Sequence, residues 1–205
     1  MRRFGYLTAL MIMLWAMCGC GGVEPEKRAY PLVVSVDIQD GQYQVIYGMA
    51  NLSFSTGQDK SGGDSGENGK TTLLFTGNDM QEILQMYNRT QENYLDLGHV
   101  QVFIFGKNLV SQPKDLDQVL QYLEQQPVLG DGACVFVSKE PQQILELNGT
   151  RVESLGTYLT GIYENRPGGR EDQMVTLQDI YREWHRGESL KLPDLDVKED
   201  FPEIV

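Results

Sequence analysis

Val100-Gln-Val-Phe-Ile-Phe105 constrains this chain more than any other segment. It is a β-branched and aromatic run with one polar member, the composition of a central strand. Helical patterns lie on both sides of it. Met80, Ile83, Leu84 and Tyr87 recur at i, i+3, i+4 and i+7, and Leu116, Val119, Leu120 and Leu123 repeat the pattern before Pro127 stops it. Thr71 to Thr76 and Ala133 to Val137 read as strands. Strand, helix, strand, helix, strand is a βαβαβ order with connections long enough for parallel crossovers.

The opening of the body follows a different rule. Leu32-Val-Val-Ser-Val-Asp-Ile38 is a strand, Asp40-Gly41 is a strong hairpin signal, and Tyr43, Val45 and Tyr47 alternate on the return. Residues 32–54 therefore read as an antiparallel hairpin. Later helices are marked by Pro141 with Ile144-Leu145, by Leu155, Tyr158, Leu159, Ile162 and Tyr163 ahead of Pro167-Gly168-Gly169, and by a Thr176/Asp179 capping box before Leu177, Ile180, Tyr181 and Trp184. The expected fold is α+β: a mixed β-sheet with an N-terminal antiparallel hairpin, a βαβ-like middle and helices packed over the sheet. The domain is expected over 32–195, followed by an acidic tail at 196–205, and residues 187–205, with Pro193 and Pro202, read as extended and loosely packed. Within 55–70, eight of sixteen residues are Gly or Ser and none is a large apolar residue, so the segment reads as a solvated loop. Its Gly69-Lys70-Thr71 ending is not a phosphate-binding loop, because Asp64 stands where the first glycine of that motif belongs.

The N-terminus reads as an address. Arg2 and Arg3 precede a fourteen-residue apolar run, Phe4 to Met17, too short to span a bilayer. Cys18-Gly19-Cys20 follows, and a cysteine behind a small residue at the end of such a run resembles the bacterial lipobox. Cys20, behind Gly19, suits lipidation better than Cys18, behind the bulky Met17. Residues 1–19 are then a lipoprotein signal peptide, Cys20 carries acyl chains such as palmitate, and 20–31 is a tether with Pro25 and Pro31. The alternative is an ordinary secretory signal that leaves Cys20 a spare thiol. Cleavage before Cys20 leaves 15 basic and 29 acidic residues, a net charge of −14. An anionic bilayer repels such a body over about 8 Å, whereas buried acyl chains hold it at about 0.8 kcal/mol per methylene.

Little in the body nominates chemistry. A pI near 4.6 argues against nucleic acid as a partner. His99 and His185 are far apart and build no metal site alone. Gly-x-Ser-x-Gly is absent, and no catalytic, metal or cofactor residue is nominated. His99, after Gly98, reads as orienting a turn. His185 reads as exposed beside Trp184. Asp115, Asp117 and Glu124 read as the solvated face of a helix, Cys134 as a buried strand residue, and the Tyr158/Tyr163 stripe as core before ligand box. Asn148-Gly-Thr150 matches a glycosylation acceptor but is uninformative behind a bacterial lipobox.

Taken together, the lipobox cysteine, the hairpin from Val34-Ser-Val-Asp37 to Val45, the Gly/Ser loop, the helix Asn78 to Arg89, Gly98-His99 ahead of the apolar strand, and Leu155-Gly-Thr-Tyr158 resemble the N-terminal domain of the Ger(x)C family. These are the lipoprotein C subunits of spore germinant receptors. The resemblance covers most of residues 20–195, the first of the family's three domains. A family segment of the Arg-Asp-Pro-Glu type reads here as Glu124-Gln-Gln-Pro127-Val, with only the proline kept. The resemblance implies a non-enzymatic, lipid-anchored component of a spore germinant receptor on the extracytoplasmic face of the spore inner membrane, docking to integral-membrane A and B subunits. The alternative is a lipid-anchored small-ligand-binding protein, with its site between sheet and helices. Cys20→Ser is expected to move the protein from the membrane fraction to the soluble fraction; retention on membranes would remove the anchor assignment.

Overall fold

The structure is a computed structural model that describes residues 24–49, 72–165 and 174–205. The leader with Cys20, the 55–70 loop, the last residues of the 32–54 hairpin and the Pro167-Gly168-Gly169 stop lie outside the described residues. In chain order the strands are β1 (Arg28–Ala29), β2 (Pro31–Gln39), β3 (Gln42–Met49), β4 (Thr72–Gly77), β5 (Tyr94–Leu95), β6 (Val102–Gly106), β7 (Cys134–Ser138), β8 (Leu195–Lys198) and β9 (Phe201–Ile204). The α-helices are α1 (Met80–Thr90), α2 (Lys107–Val110), α3 (Pro113–Glu124), α4 (Pro141–Glu146), α5 (Leu155–Glu164) and α6 (Leu177–Arg186).

The main sheet has the order β4-β3-β2-β6-β7. β2, β3 and β4 pair antiparallel, while β2, β6 and β7 run parallel. This is the mixed sheet with a leading hairpin and a βαβ-like middle that the pattern predicts, and the fold class is α+β. Every residue of β6 is buried, and its side chains alternate between two cores. Phe103 and Phe105 join Val34, Val36 and Val45 under α1, α3 and α6. Val102 and Ile104 join Val33, Ile46 and Phe136 under α4 and α5. Helices therefore cover both faces.

Helix starts follow local chemistry. Asp79 caps α1, its carboxylate accepting the Glu82 N–H at 2.8 Å. Asn78 instead donates its own N–H back to the Glu82 carboxylate at 2.8 Å. Both residues are competent caps, and the one whose backbone is extended next to the first helical turn takes the role. Thr176 and Asp179 form the reciprocal capping box of α6.

Two segments depart from the sequence expectation. The tether is folded from Pro25: Pro25–Lys27 is a 3₁₀ turn, and β1 pairs with β5. The acidic tail is also folded. β8 and β9 form an antiparallel hairpin around the positive-φ pair Glu199 and Asp200, with Leu195 buried in the second core. The physical reason is the open edge of β7. The Val135 N–H donates to the Val175 carbonyl and the Val137 N–H to the Pro193 carbonyl, each at 2.9 Å. An edge strand with both faces buried needs such partners.

The one charged residue of the β2 strand, Asp37, is buried. Its carboxylate accepts the Leu109 N–H at 3.1 Å and the Asn108 side-chain amide at 3.3 Å, which ties β2 to α2. Gly106 makes room for it: a Cβ there would overlap the Asp37 carboxyl. Burial pushes this carboxyl above its ordinary value, with the Ile38, Leu109 and Asn108 donors pulling the other way. Gly106→Ala is expected to be strongly destabilising. Asp37→Ala leaves the Leu109 N–H without its acceptor, at a cost of about 1–3 kcal/mol, while Asp37→Asn keeps that bond and costs less. Because the folded value is raised, the advantage of wild type over Asp37→Asn is greatest in acid. It shrinks as pH rises from about 4 through the raised value, then stays level; urea unfolding across that range measures it.

Candidate functional site

Three surface regions hold the residues a binding or docking role can use. The first is where the chain emerges toward Cys20. Tyr30 donates its hydroxyl to the Pro25 carbonyl at 3.3 Å and packs edge-on against His99, ring centroids 4.6 Å apart. Arg28 pairs with the buried Asp96 at 2.7 Å, and the Asp96 N–H donates to the Ala29 carbonyl at 2.9 Å. Burial alone would raise the Asp96 carboxyl, but the Gly98 N–H and Arg28 outweigh it and hold it below the usual carboxylate value. The Gly98-His99 feature thus has a physical basis. Asp96 accepts the Gly98 N–H at 2.9 Å and caps the 3₁₀ turn Leu97–His99, while the Val128 carbonyl leaves little space for a side chain at Gly98. The expected orienting role of His99 falls to Asp96: His99 ends the turn exposed, and its ring meets Tyr30. Tyr94 and Val128 are both 50% exposed here.

The second region is a groove of about 780 Å³ between α5 and the β8–β9 hairpin, bordered by Tyr158, Ile162, Tyr163, Phe201, Pro202 and Ile204. The aromatic stripe of α5 divides along its length. Leu155, Leu159 and Tyr163 are buried in the second core, whereas Tyr158 and Ile162 are half-buried at the groove. Lys198, Glu199 and Glu203 supply its charge. The sequence did not show this site, because one wall is the segment read as a loose tail.

The third region is the seam between α3 and α6. Asp117 accepts the Trp184 indole N–H at 2.8 Å, Glu124 meets His185 at 2.7 Å, and Asp115 accepts the Tyr43 hydroxyl at 3.0 Å. The acids read as a solvated face therefore cross-link α3 to α6 and to β3. Helix spacing placed them on the polar side of α3, but only packing brings α6 there.

Cys134 lies in β7 and is buried, and burial, with Glu164 nearby, pushes its thiol up to about 11. Asn148 is buried as well. Its amide donates to the Met49 carbonyl at 3.0 Å and its side-chain oxygen accepts the Leu155 N–H at 2.9 Å, so it is a structural pin and not a glycan acceptor. Among the described residues no group of three His, Cys, Asp or Glu side chains is placed to hold a metal, and no helix is long and apolar enough to cross a membrane.

A family model described as the spore germination protein N-terminal domain matches residues 21–197. No curated protein and no solved structure matches the chain.

Arg28→Ala is expected to loosen β1 from β5. Hydrogen exchange at the Asp96 amide should accelerate while β6 amides keep their protection. Because the Asp96 carboxyl is held low, the same loosening should occur in wild type as pH falls through that lowered value.

Proposed function

The chain belongs to the family of spore germination protein N-terminal domains, with a role in spore germination, and we propose from that membership that it is a non-enzymatic, lipid-anchored component of a germinant receptor. Cys20 holds it on the extracytoplasmic face of the spore inner membrane, and the folded body docks to integral-membrane A and B subunits. The family match carries this reading. The net charge of the mature body supports the covalent anchor, since an acidic domain gains nothing from electrostatic attraction to anionic lipid.

A second reading, a lipid-anchored small-ligand-binding protein, is favoured by the groove beside α5. Its volume falls in the range of small-molecule sites, about 300–1,000 Å³, and its border mixes aromatic and charged side chains.

Co-purification from spore membranes separates the two. The docking reading expects multispanning receptor subunits to accompany the wild-type chain, and their absence would remove it. Phe201→Asp with Ile162→Lys alters the groove at partly exposed positions. Under the docking reading the germination response survives unless the subunits are also lost. Loss of response with the subunits still bound would favour a ligand site.

A further inference from the structure

We propose that the end of the domain where the chain emerges toward Cys20 is a bilayer-contact surface, with Tyr94 and Val128 as its exposed apolar members. The inference rests on the lipid-anchor reading and adds an orientation to it.

Leash length makes the first argument. The chain is fixed from Pro25 onward by the 3₁₀ turn, the Tyr30 hydroxyl bond, the β1–β5 pairing and the Arg28–Asp96 ion pair. Only five peptide steps separate Cys20 from Pro25, a reach of at most about 17 Å. The nine residues of β2 lead away from this end to the Asp40-Gly41 turn, a distance of about 26 Å at strand rise. The leash is shorter than the strand, so the body cannot turn over and the β1–β5 end stays next to the lipid.

Surface chemistry makes the second. β1 sets Arg28 beside Tyr94, Tyr30 meets His99, and Val128 lies against Gly98, so these residues form one contiguous end. Tyr94 and Val128 are half exposed there although neither is needed to complete the core. Tyrosine, with an apolar ring and a polar tip, suits the headgroup level of a bilayer. Two ion pairs, Lys27–Glu24 at 2.8 Å and Arg28–Asp96, neutralise much of the local charge. Glu26 and Glu92 remain as acids outside an ion pair among the described residues, on a body whose acidity otherwise opposes contact.

The test uses the mature chain from Cys20, coupled through that thiol to maleimide-bearing lipid in phosphatidylglycerol–phosphatidylethanolamine vesicles. Cys134 does not compete, because it is buried. Amide hydrogen exchange is compared with the same chain, thiol capped, beside vesicles that lack maleimide. The expected result is exchange slowed several-fold at 92–99 and 126–130 and unchanged at 39–42 and 107–114. Tyr94→Asp and Val128→Asp, at surface positions that leave the core intact, should return those rates to the uncoupled values. Added salt should leave the protection in place, since apolar burial is not screened. Unchanged rates on coupling, protection on a different face, or protection lost in salt would each overturn the proposal. Failure of the anchor reading shows elsewhere, as Cys20→Ser protein that still sediments with native membranes. The chemical coupling keeps the two outcomes separate.

Discussion

β6 has no face to give to solvent, and the architecture follows from that. Its five residues are all buried, with Phe103 and Phe105 in one core and Val102 and Ile104 in the other. Each such side chain contributes about 1.5–3 kcal/mol by leaving water, so a two-layer arrangement would forfeit several kcal/mol on the uncovered side. The chain meets this by sending α1, α3 and α6 to one face and α4 and α5 to the other. The parallel pairing of β2, β6 and β7 is compatible with this, because β3, β4 and α1 intervene between β2 and β6, and the crossover through α3 returns the chain to the end of the sheet where β6 begins.

Placing β7 at the end of the sheet creates a second requirement. Its free backbone groups are taken by the strand-like segment before α6 and by the chain just before β8. That capture carries the last residues of the domain onto the second core, where Leu195 is buried, and the β8–β9 hairpin then faces α5. The groove is thus a by-product of edge protection. At the other end of the same strands, Asp37 holds α2 against β2 through a space that exists only because residue 106 is glycine. The buried carboxylate is tolerated because each of its oxygens has a donor.

For a member of the spore germination N-terminal domain family, these features divide the surface by task. The β1–β5 end, ordered by Arg28, Asp96 and Tyr30, is where the described chain begins, which is the anchor side under the proposed function. The α5 groove and the α3–α6 seam lie on opposite faces of the sheet. Under the proposed anchoring, acidity and the lipid are connected: a mature body carrying −14 beside an anionic membrane would be retained by acyl chains and apolar contact, not by its charge.

Much of this was legible in the linear chain wherever the determinant was local. Period-2 and period-3.6 apolar patterns set the hairpin β2–β3, the strands β4, β6 and β7 and the helices α1, α3, α5 and α6, since side-chain direction follows backbone period. The Thr176/Asp179 box and the Asp40-Gly41 turn are likewise contacts within four residues. Even Asp37 had a signal, as the lone charge in an apolar strand. Other features depend on groups far apart in sequence. Arg28 meets Asp96, Asp117 meets Trp184, Glu124 meets His185, and Pro193 meets Val137. None has a periodic signature, because each arises only when two elements pack. The tether and the tail show the same limit. Both are polar, proline-bearing segments whose composition suggests extended chain, yet both fold, because open backbone groups of β5 and β7 bind them. Local pattern determined which elements form and which faces they bury; tertiary packing alone decided the order of the strands, the capture of the two ends and the surfaces left for function.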